Sequence, residues 1–495
     1  MNRFPLTVLL CAVAASAAAA QHPADCARLR QLKLSQAQID SAVPVYEGDL
    51  LTLWRGGPPQ AMPRAFCRVR GTATPVKGSR IGFEVWLPTS GRWNGKFMQA
   101  GNGGTAGAVP LGSLLDGVIR GYAAAATDGG HEWPDGLDYG WAVDQPERIV
   151  DFGWRAVQRT TAAAKRIVTA GYGRAPKKSY FVGCSDGGRD AMMAVQRFPN
   201  DWDGIVSGAP ALGWLGLMIG GALLQRELAP PAAALPVAKL PALQAAALVA
   251  CGDGKAYVPS PLQCVFDPVV LKCIGAEADS CLTQSQVDAA RKAYAGVTDA
   301  SGRHLAGLSM GAEAEPGNWD FWLLRSPTNP IGGALPKPGD APPTSINESF
   351  FRHLVRADPD FLLADLRDAD VVQARQRYSA TLDATDPDLR AFKARGGKLL
   401  HYHGWADSAI PPRMSLAYHE AVQRRMGPTA DFYRLVMVPG MNHCAGGAGP
   451  WQVDWLAALE RWVEAGQPPE ALTARHPKSG ETQVLRPHLA SKDQP

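Results

Sequence analysis

Ser179-Tyr180-Phe181-Val182-Gly183-Cys184-Ser185-Asp186-Gly187-Gly188-Arg189-Asp190 decides the fold. A short buried-strand signature runs into a glycine-flanked turn, and a helical pattern from Asp190 to Phe198 follows until Pro199 stops it. The turn, Gly183 to Gly187, fits G-x-S-x-G, a strand-to-helix elbow whose glycines allow a sharp bend that leaves the serine hydroxyl exposed. In a chain of this length and glycine content, chance supplies the pattern about once in four cases, so context must decide. Gly307-Leu308-Ser309-Met310-Gly311 also matches, but no β-rich run precedes it and Pro316 leaves no room for a helix after it. Ser185 alone has a strand before it and a helix behind it.

Working outward, Trp154, Val157, Ala164, Ile167 and Val168 recur at helical spacing between Asp151 and Tyr172, closed by Gly171 and Gly173. Ile81–Leu87 and Phe97–Ala100 read as strands, separated by turns such as Gly101-Asn102-Gly103-Gly104. Lys398–Tyr402 and Phe432–Val438 restore the strand pattern downstream, and Trp451–Val463 is an amphipathic helix ending before Gly466. Between 211 and 375 the texture changes to Ala/Leu/Pro-rich stretches with closely spaced cysteines. The alternation on either side of this segment predicts an α/β sheet: a discontinuous catalytic domain, 21–210 and 376–495, with a lid inserted at 211–375.

The chain has 495 residues, 46% hydrophobic and 19% charged, which excludes disorder. Residues 1–20 carry Arg3, an apolar run and a small-residue end at Ala18-Ala19-Ala20, the pattern of a secretory signal peptide. The formal charge of +4 falls to +3 once Arg3 leaves with the leader, and no basic patch interleaved with aromatics suits nucleic acid. No other stretch could cross a bilayer. The expected location is periplasmic or secreted, with neither nucleic acid nor membrane as partner.

Export favours cysteine pairing. Without Cys11 in the leader, eight cysteines remain: Cys26, Cys67, Cys184, Cys251, Cys264, Cys273, Cys281 and Cys444. Spacing leaves 105 connectivities open. One pair has a functional argument.

A serine hydroxyl needs a base within hydrogen-bond reach, and the base needs a carboxylate to orient it. In the α/β-hydrolase order both lie downstream, acid first. Asp407 follows the strand at 398–402, and His443 follows the strand at 432–438. His401 and His403 precede Asp407, and as a metal pair they lack a third ligand. Cys184 precedes Ser185 and Cys444 follows His443, so a bond between them would bring the Ser185 and His443 Cα atoms within ~13 Å. We expect that bond. The oxyanion hole is expected at the backbone N–H of Asp186 with that of Gly103 or Gly104.

These motifs resemble the tannase/feruloyl esterase family, which includes mono(hydroxyethyl) terephthalate hydrolase. The resemblance rests on Asp151–Ala156, Tyr180–Arg189, Asp203–Val206, Gly208–Ala211, Asn94–Phe97, Ala126–Asp128 with His131, His403-Gly404 with Asp407 and Ile410-Pro411, and Asn442-His443-Cys444. It implies an α/β-hydrolase fold with a lid, a Ser185–His443–Asp407 triad, and the pairs Cys184–Cys444, Cys26–Cys67, Cys251–Cys264 and Cys273–Cys281. It also implies a lid calcium site between Cys251 and Cys264. Here the chain departs: Gly252–Val258 offers one carboxylate where about six oxygen ligands are needed, so no cofactor is expected.

The expected activity is serine ester hydrolysis through an acyl-enzyme, on esters of small aromatic acids of feruloyl, galloyl or terephthaloyl type. Trp319, Phe321, Trp322, Phe350 and Phe351 are candidates for the aromatic pocket, with Arg325 or Arg352 to meet a substrate carboxylate or phenol. A non-catalytic binding protein on the same fold, or a peptidase, are the other readings.

Overall fold

This computed structural model describes residues 26–324 and 345–488; the leader and Arg325 lie outside them. A nine-stranded sheet forms the centre: β1 (Ala37–Val45), β2 (Phe66–Ala73), β3 (Ile81–Pro88), β4 (Lys96–Ala100), β5 (Ala123–Thr127), β6 (Lys178–Cys184), β7 (Gly204–Gly208), β8 (Lys398–Gly404) and β9 (Tyr433–Val438). Their spatial order is β1-β2-β3-β5-β4-β6-β7-β8-β9. The first three pair antiparallel, as do β3 and β5; from β5 through β4 to β9 every pairing is parallel. This is the α/β-hydrolase arrangement.

The parallel strands are buried on both faces, which are covered by helices. Phe181, Ile205, Leu399 and Leu435 turn to one face, where they meet helices α1 (Ala156–Tyr172) and α2 (Asp186–Arg197). Tyr180, Val206, Leu400 and Val436 turn to the other. There Leu456, Leu459 and Trp462 of a C-terminal helix, Trp455–Ala465, cover them. That helix starts four residues later than its apolar pattern does, because the Asp454 carboxylate accepts from Ala457 N–H and fixes the first turn.

From residue 209 to residue 397 the described chain adds no strand to this sheet. Helix α3 (Trp214–Leu228) opens the segment, which builds its own apolar cluster around Leu224, Leu240, Leu243, Val287 and Trp319. The second G-x-S-x-G match lies here. A three-residue hairpin strand, His304–Ala306, does precede it, contrary to the expectation that no strand would, but no helix follows directly and Ser309 takes no left-handed backbone angle. After the sheet resumes, helix α4 (Arg413–Met426) runs between β8 and β9.

All four disulfides close as pairs Cys26–Cys67, Cys184–Cys444, Cys251–Cys264 and Cys273–Cys281. Among the described residues no helix is long and apolar enough to cross a membrane.

Candidate active site

Ser185 sits between β6 and α2 with φ 65° and ψ −124°, in the left-handed region that only a tightly held residue adopts. Its N–H donates to the Gly208 carbonyl at 3.0 Å, and its own carbonyl accepts from Arg189 at 3.0 Å and Ala211 at 3.2 Å. The flanking glycines are required by crowding. A Cβ on Gly183 would lie 2.1 Å from the Gly187 carbonyl oxygen, and one on Gly187 would lie 2.6 Å from that of Asn102. The bend closes only because both side chains are missing.

Asp407 lies just past β8, and His443 past β9. The two loops are stitched by Ala406 N–H to the Met441 carbonyl at 2.9 Å. His443 Nδ1 lies 2.7 Å from Asp407 Oδ2, and Asp407 Oδ1 accepts from the backbone N–H groups of Ala409 and Ile410, both at 2.9 Å. Burial opposes ionisation of Asp407, but the facing His443 and the hydrogen bonds from His403 and His443 override it, holding the carboxyl well below the usual carboxylate range. A buried carboxylate is thus kept charged behind an imidazole that is itself partly open.

Cys184 and Cys444 are bonded with Cα atoms 5.9 Å apart, so the neighbouring Ser185 and His443 Cα atoms lie no more than about 13.5 Å apart. Ser185 opens onto a cleft of about 620 Å³ walled by Gly104, Leu217, Leu305, Trp322, Ile410 and Met414. Trp322 meets His443 edge-on, with ring centroids 5.8 Å apart.

The Asp186 N–H, first of helix α2, donates to nothing among the described residues, nor do the N–H groups of Gly103 and Gly104. Gly187 N–H to the Asn102 carbonyl, 2.7 Å, ties that glycine loop to the elbow. The Asp186 carboxylate turns away from the cleft and accepts from the fully buried Arg189 at 2.7 Å. Arg189 also donates to the Phe152 and Gly153 carbonyls. Burial and the Asp186 charge push the neighbouring Asp190 upward.

Of the aromatic residues expected in the pocket, only Trp322 lines the cleft. Trp319, Phe350 and Phe351 are core: Trp319 packs against Tyr294, and the two phenylalanines pack with Tyr139 and Leu354. Phe321 stands edge-on to Trp322 without reaching the cleft wall. Arg352 is held by Glu348 and the Phe361 carbonyl, away from the cleft. Trp319 serves the apolar cluster internal to the segment between β7 and β8, whereas Phe350 and Phe351 belong to a cluster shared with Tyr139, Trp141 and Phe152. His131 stacks on Trp141 at 3.7 Å, where burial pushes its imidazole down to about 3; it is a neutral packing residue.

Residues 252–258 do not suit calcium. Asp253 points to solvent, Lys255 brings an ammonium group into the loop, and Tyr257 and Val258 are buried in apolar surroundings.

Sequence reasoning gave no role to Ser415 or Tyr433, and it had Gly208–Ala211 and His403 as parts of the resemblance, without their contacts to the elbow and to Asp407. For His403, its spacing of four residues from Asp407 is the signal that points to a contact with the carboxylate.

The family model described as tannase and feruloyl esterase matches residues 67–490. An uncharacterized esterase of Xanthomonas campestris is 38% identical, over 94% of this chain and 86% of its own. The mono(2-hydroxyethyl) terephthalate hydrolase of Piscinibacter sakaiensis is 31% identical, over 85% of this chain and 80% of its own. The crystal structure of feruloyl esterase B from Aspergillus oryzae superposes with a TM-score of 0.83 at 24% identity, covering 94% of this chain and 95% of that one, a likeness of fold.

Proposed function

The chain belongs to the tannase and feruloyl esterase family of carboxylic ester hydrolases, and from that premise we propose that it is an exported serine esterase acting through an acyl-enzyme on esters of small aromatic acids. The observation that carries the reading is Ser185, held at φ 65° on the wall of an apolar cleft, with a histidine–carboxylate pair tied to its neighbour by a disulfide.

The ester carbonyl binds over Ser185. His443 takes the hydroxyl proton as Oγ attacks, and Asp407 stabilises the imidazolium that forms. The free N–H groups of Asp186 and of Gly103 or Gly104 receive the oxyanion. His443 then returns the proton to the leaving alcohol, the C–O bond breaks, and water repeats the sequence on the acyl-enzyme. The apolar cleft beside Trp322 accepts the aromatic acyl group. Its mouth can serve feruloyl, galloyl or terephthaloyl esters, and the relatives' names span two of these chemistries. Four disulfides and the leader-like first twenty residues support export.

The test is a burst of p-nitrophenol from p-nitrophenyl esters, absent in Ser185→Ala, followed by kcat/KM on gallate, hydroxycinnamate and terephthalate monoesters. Equal hydrolysis by wild type and Ser185→Ala would overturn the assignment of the nucleophile.

A further inference from the structure

On the side of Asp407 that faces away from the cleft, four polar side chains line up inside the core. Tyr433 comes from β9, His401 and His403 from β8, and Ser415 from α4. His401, His403 and Ser415 are wholly buried and Tyr433 almost so. The two histidines are two residues apart on a strand and share a face, so one serine on the covering helix reaches both. Tyr433 Oη lies 2.9 Å from His401 Nδ1, His401 Nε2 lies 2.8 Å from Ser415 Oγ, and Ser415 Oγ lies 2.6 Å from His403 Nδ1. His403 Nε2 completes the row, 3.2 Å from Asp407 Oδ2 and 3.1 Å from the Ile410 carbonyl.

We infer that His403 is a positioning residue for the catalytic acid: its Nε2–H, fixed by a chain through Ser415 and His401 to Tyr433, steadies the Asp407 oxygen that receives His443. The inference rests on the esterase reading above.

Proton counting sets the direction of the chain. His403 Nε2 faces two oxygens, a carboxylate and a carbonyl, that can only accept, so it carries a hydrogen. Its Nδ1 is then either an acceptor, in neutral His403, or a second donor, in the cation. In the neutral case Ser415 donates to His403, His401 Nε2–H donates to Ser415, and Tyr433 donates to His401 Nδ1. Each contact then has one hydrogen, and each hydrogen has an acceptor. In the cationic case every bond reverses, and His401 Nδ1–H donates to Tyr433. The buried Tyr433 hydroxyl hydrogen then has no acceptor among the described residues. A buried unpaired donor is disfavoured, so the neutral arrangement is the stable one. Burial also keeps His401 neutral, as either arrangement requires.

The neutral arrangement is also the useful one. Asp407 Oδ2 accepts from both His443 and His403, and Oδ1 accepts from two backbone N–H groups, so the carboxylate cannot rotate away from the base. An uncharged donor at His403 leaves the full negative charge available to the His443 imidazolium. A cation there would compete for it.

The test compares His403→Leu, His403→Gln and Ser415→Ala with wild type on a p-nitrophenyl ester, with Ser185→Ala as the blank. His403→Leu should lower kcat about 10- to 100-fold, the range for groups that orient a reacting side chain from behind, with KM within twofold. His403→Gln restores an N–H toward Asp407 and should recover most of that loss. Wild-type kcat in His403→Leu, or an equal loss in His403→Gln, would overturn the inference. Should His403→Leu not fold, Ser415→Ala decides. It removes the hydroxyl that fixes the His403 tautomer, and an unchanged kcat would overturn the inference, whereas a fall in kcat at constant KM supports it. An inactive wild type would sink the esterase reading and this inference together; an active wild type with unaffected variants would sink the inference alone.

Discussion

Cys184 and Cys444 are 260 residues apart in sequence and 5.9 Å apart between Cα atoms, and they are the covalent neighbours of Ser185 and His443, the proposed nucleophile and base. The bond joins the end of β6 to the loop after β9, which lie on either side of two intervening strands, β7 and β8. It therefore ties the His443 loop to the Ser185 elbow across the sheet. Loop closure over so long a span would stabilise by about 5.6 kcal/mol in the chain-entropy view, and its position adds preorganisation of the proposed base.

Replacing both cysteines, Cys184→Ala with Cys444→Ala, should leave a folded protein that has lost most of its turnover. The loop 439–449 keeps internal bonds such as Asn442 N–H to Gly446 and Gly449 N–H to Gly440, so it persists while His443 drifts. Melting by circular dichroism and kcat on a p-nitrophenyl ester check the two halves; full activity in the double variant would mean that the bridge does not position the base.

Gly187→Ala should impair chemistry more than stability. The new Cβ falls 2.6 Å from the Asn102 carbonyl, which already accepts from Gly187 N–H at 2.7 Å. Relief requires the 101–104 loop to move off the elbow, carrying one proposed oxyanion donor with it. The loss of one donor corresponds to about 10²- to 10³-fold in kcat. Steady-state kinetics alongside a thermal melt will separate this from unfolding.

Much of this site was legible because each part announced itself locally. Gly183–Gly187 needed a strand before it and a helix after it, and both are written in the adjoining residues. Asp407 and His443 follow strands marked by the apolar pairs and runs Leu399-Leu400 and Leu435–Val438. What stayed hidden depends on contacts across the fold. Strand β5 is Ala123–Ala124–Ala125–Ala126–Thr127, a composition with little β preference, and it forms because it lies buried between β3 and β4. Trp319, Trp322, Phe350 and Phe351 look alike in a segment without clear periodicity, and only packing separates the one on the cleft from the three in the core. The service of His401 and His403 depends on Ser415, which a helix brings to them from outside the strand.

Trp322→Ala and Phe351→Ala should therefore fail in opposite ways. Trp322 borders the cleft and touches His443, so its loss should lower kcat/KM for aromatic acyl esters by about tenfold or more while sparing acetyl esters. Phe351 is wholly buried, and truncation should cost about 3–5 kcal/mol of stability with little change in the substrate preference of the folded fraction. Paired melts and a feruloyl-to-acetyl rate ratio distinguish them, and a shifted ratio in Phe351→Ala would place that ring on the substrate path.

The buried His401 gives the stability a pH dependence of defined sign. Burial pushes its imidazole well below the ordinary value near 6.5. The unfolded chain therefore takes up a proton at this residue as pH falls through about 6.5, and the folded chain does not. Below that point the unfolded state binds more protons, so this contribution is complete above about pH 6.5 and is lost progressively as pH falls toward the folded value. Each unit of pH in the window costs about 1.4 kcal/mol for one proton. Other groups titrate over the same range, and burial pushes Asp128 up to about 7 with the opposite sign, so the informative quantity is a difference between two proteins. His401→Gln removes the titrating ring. Its urea midpoint should lie below that of wild type at pH 7.5, and the gap should narrow steadily between pH 6 and pH 4.5. A gap independent of pH would show that His401 takes up its proton in the folded protein as well, which would turn its contact with Tyr433 around.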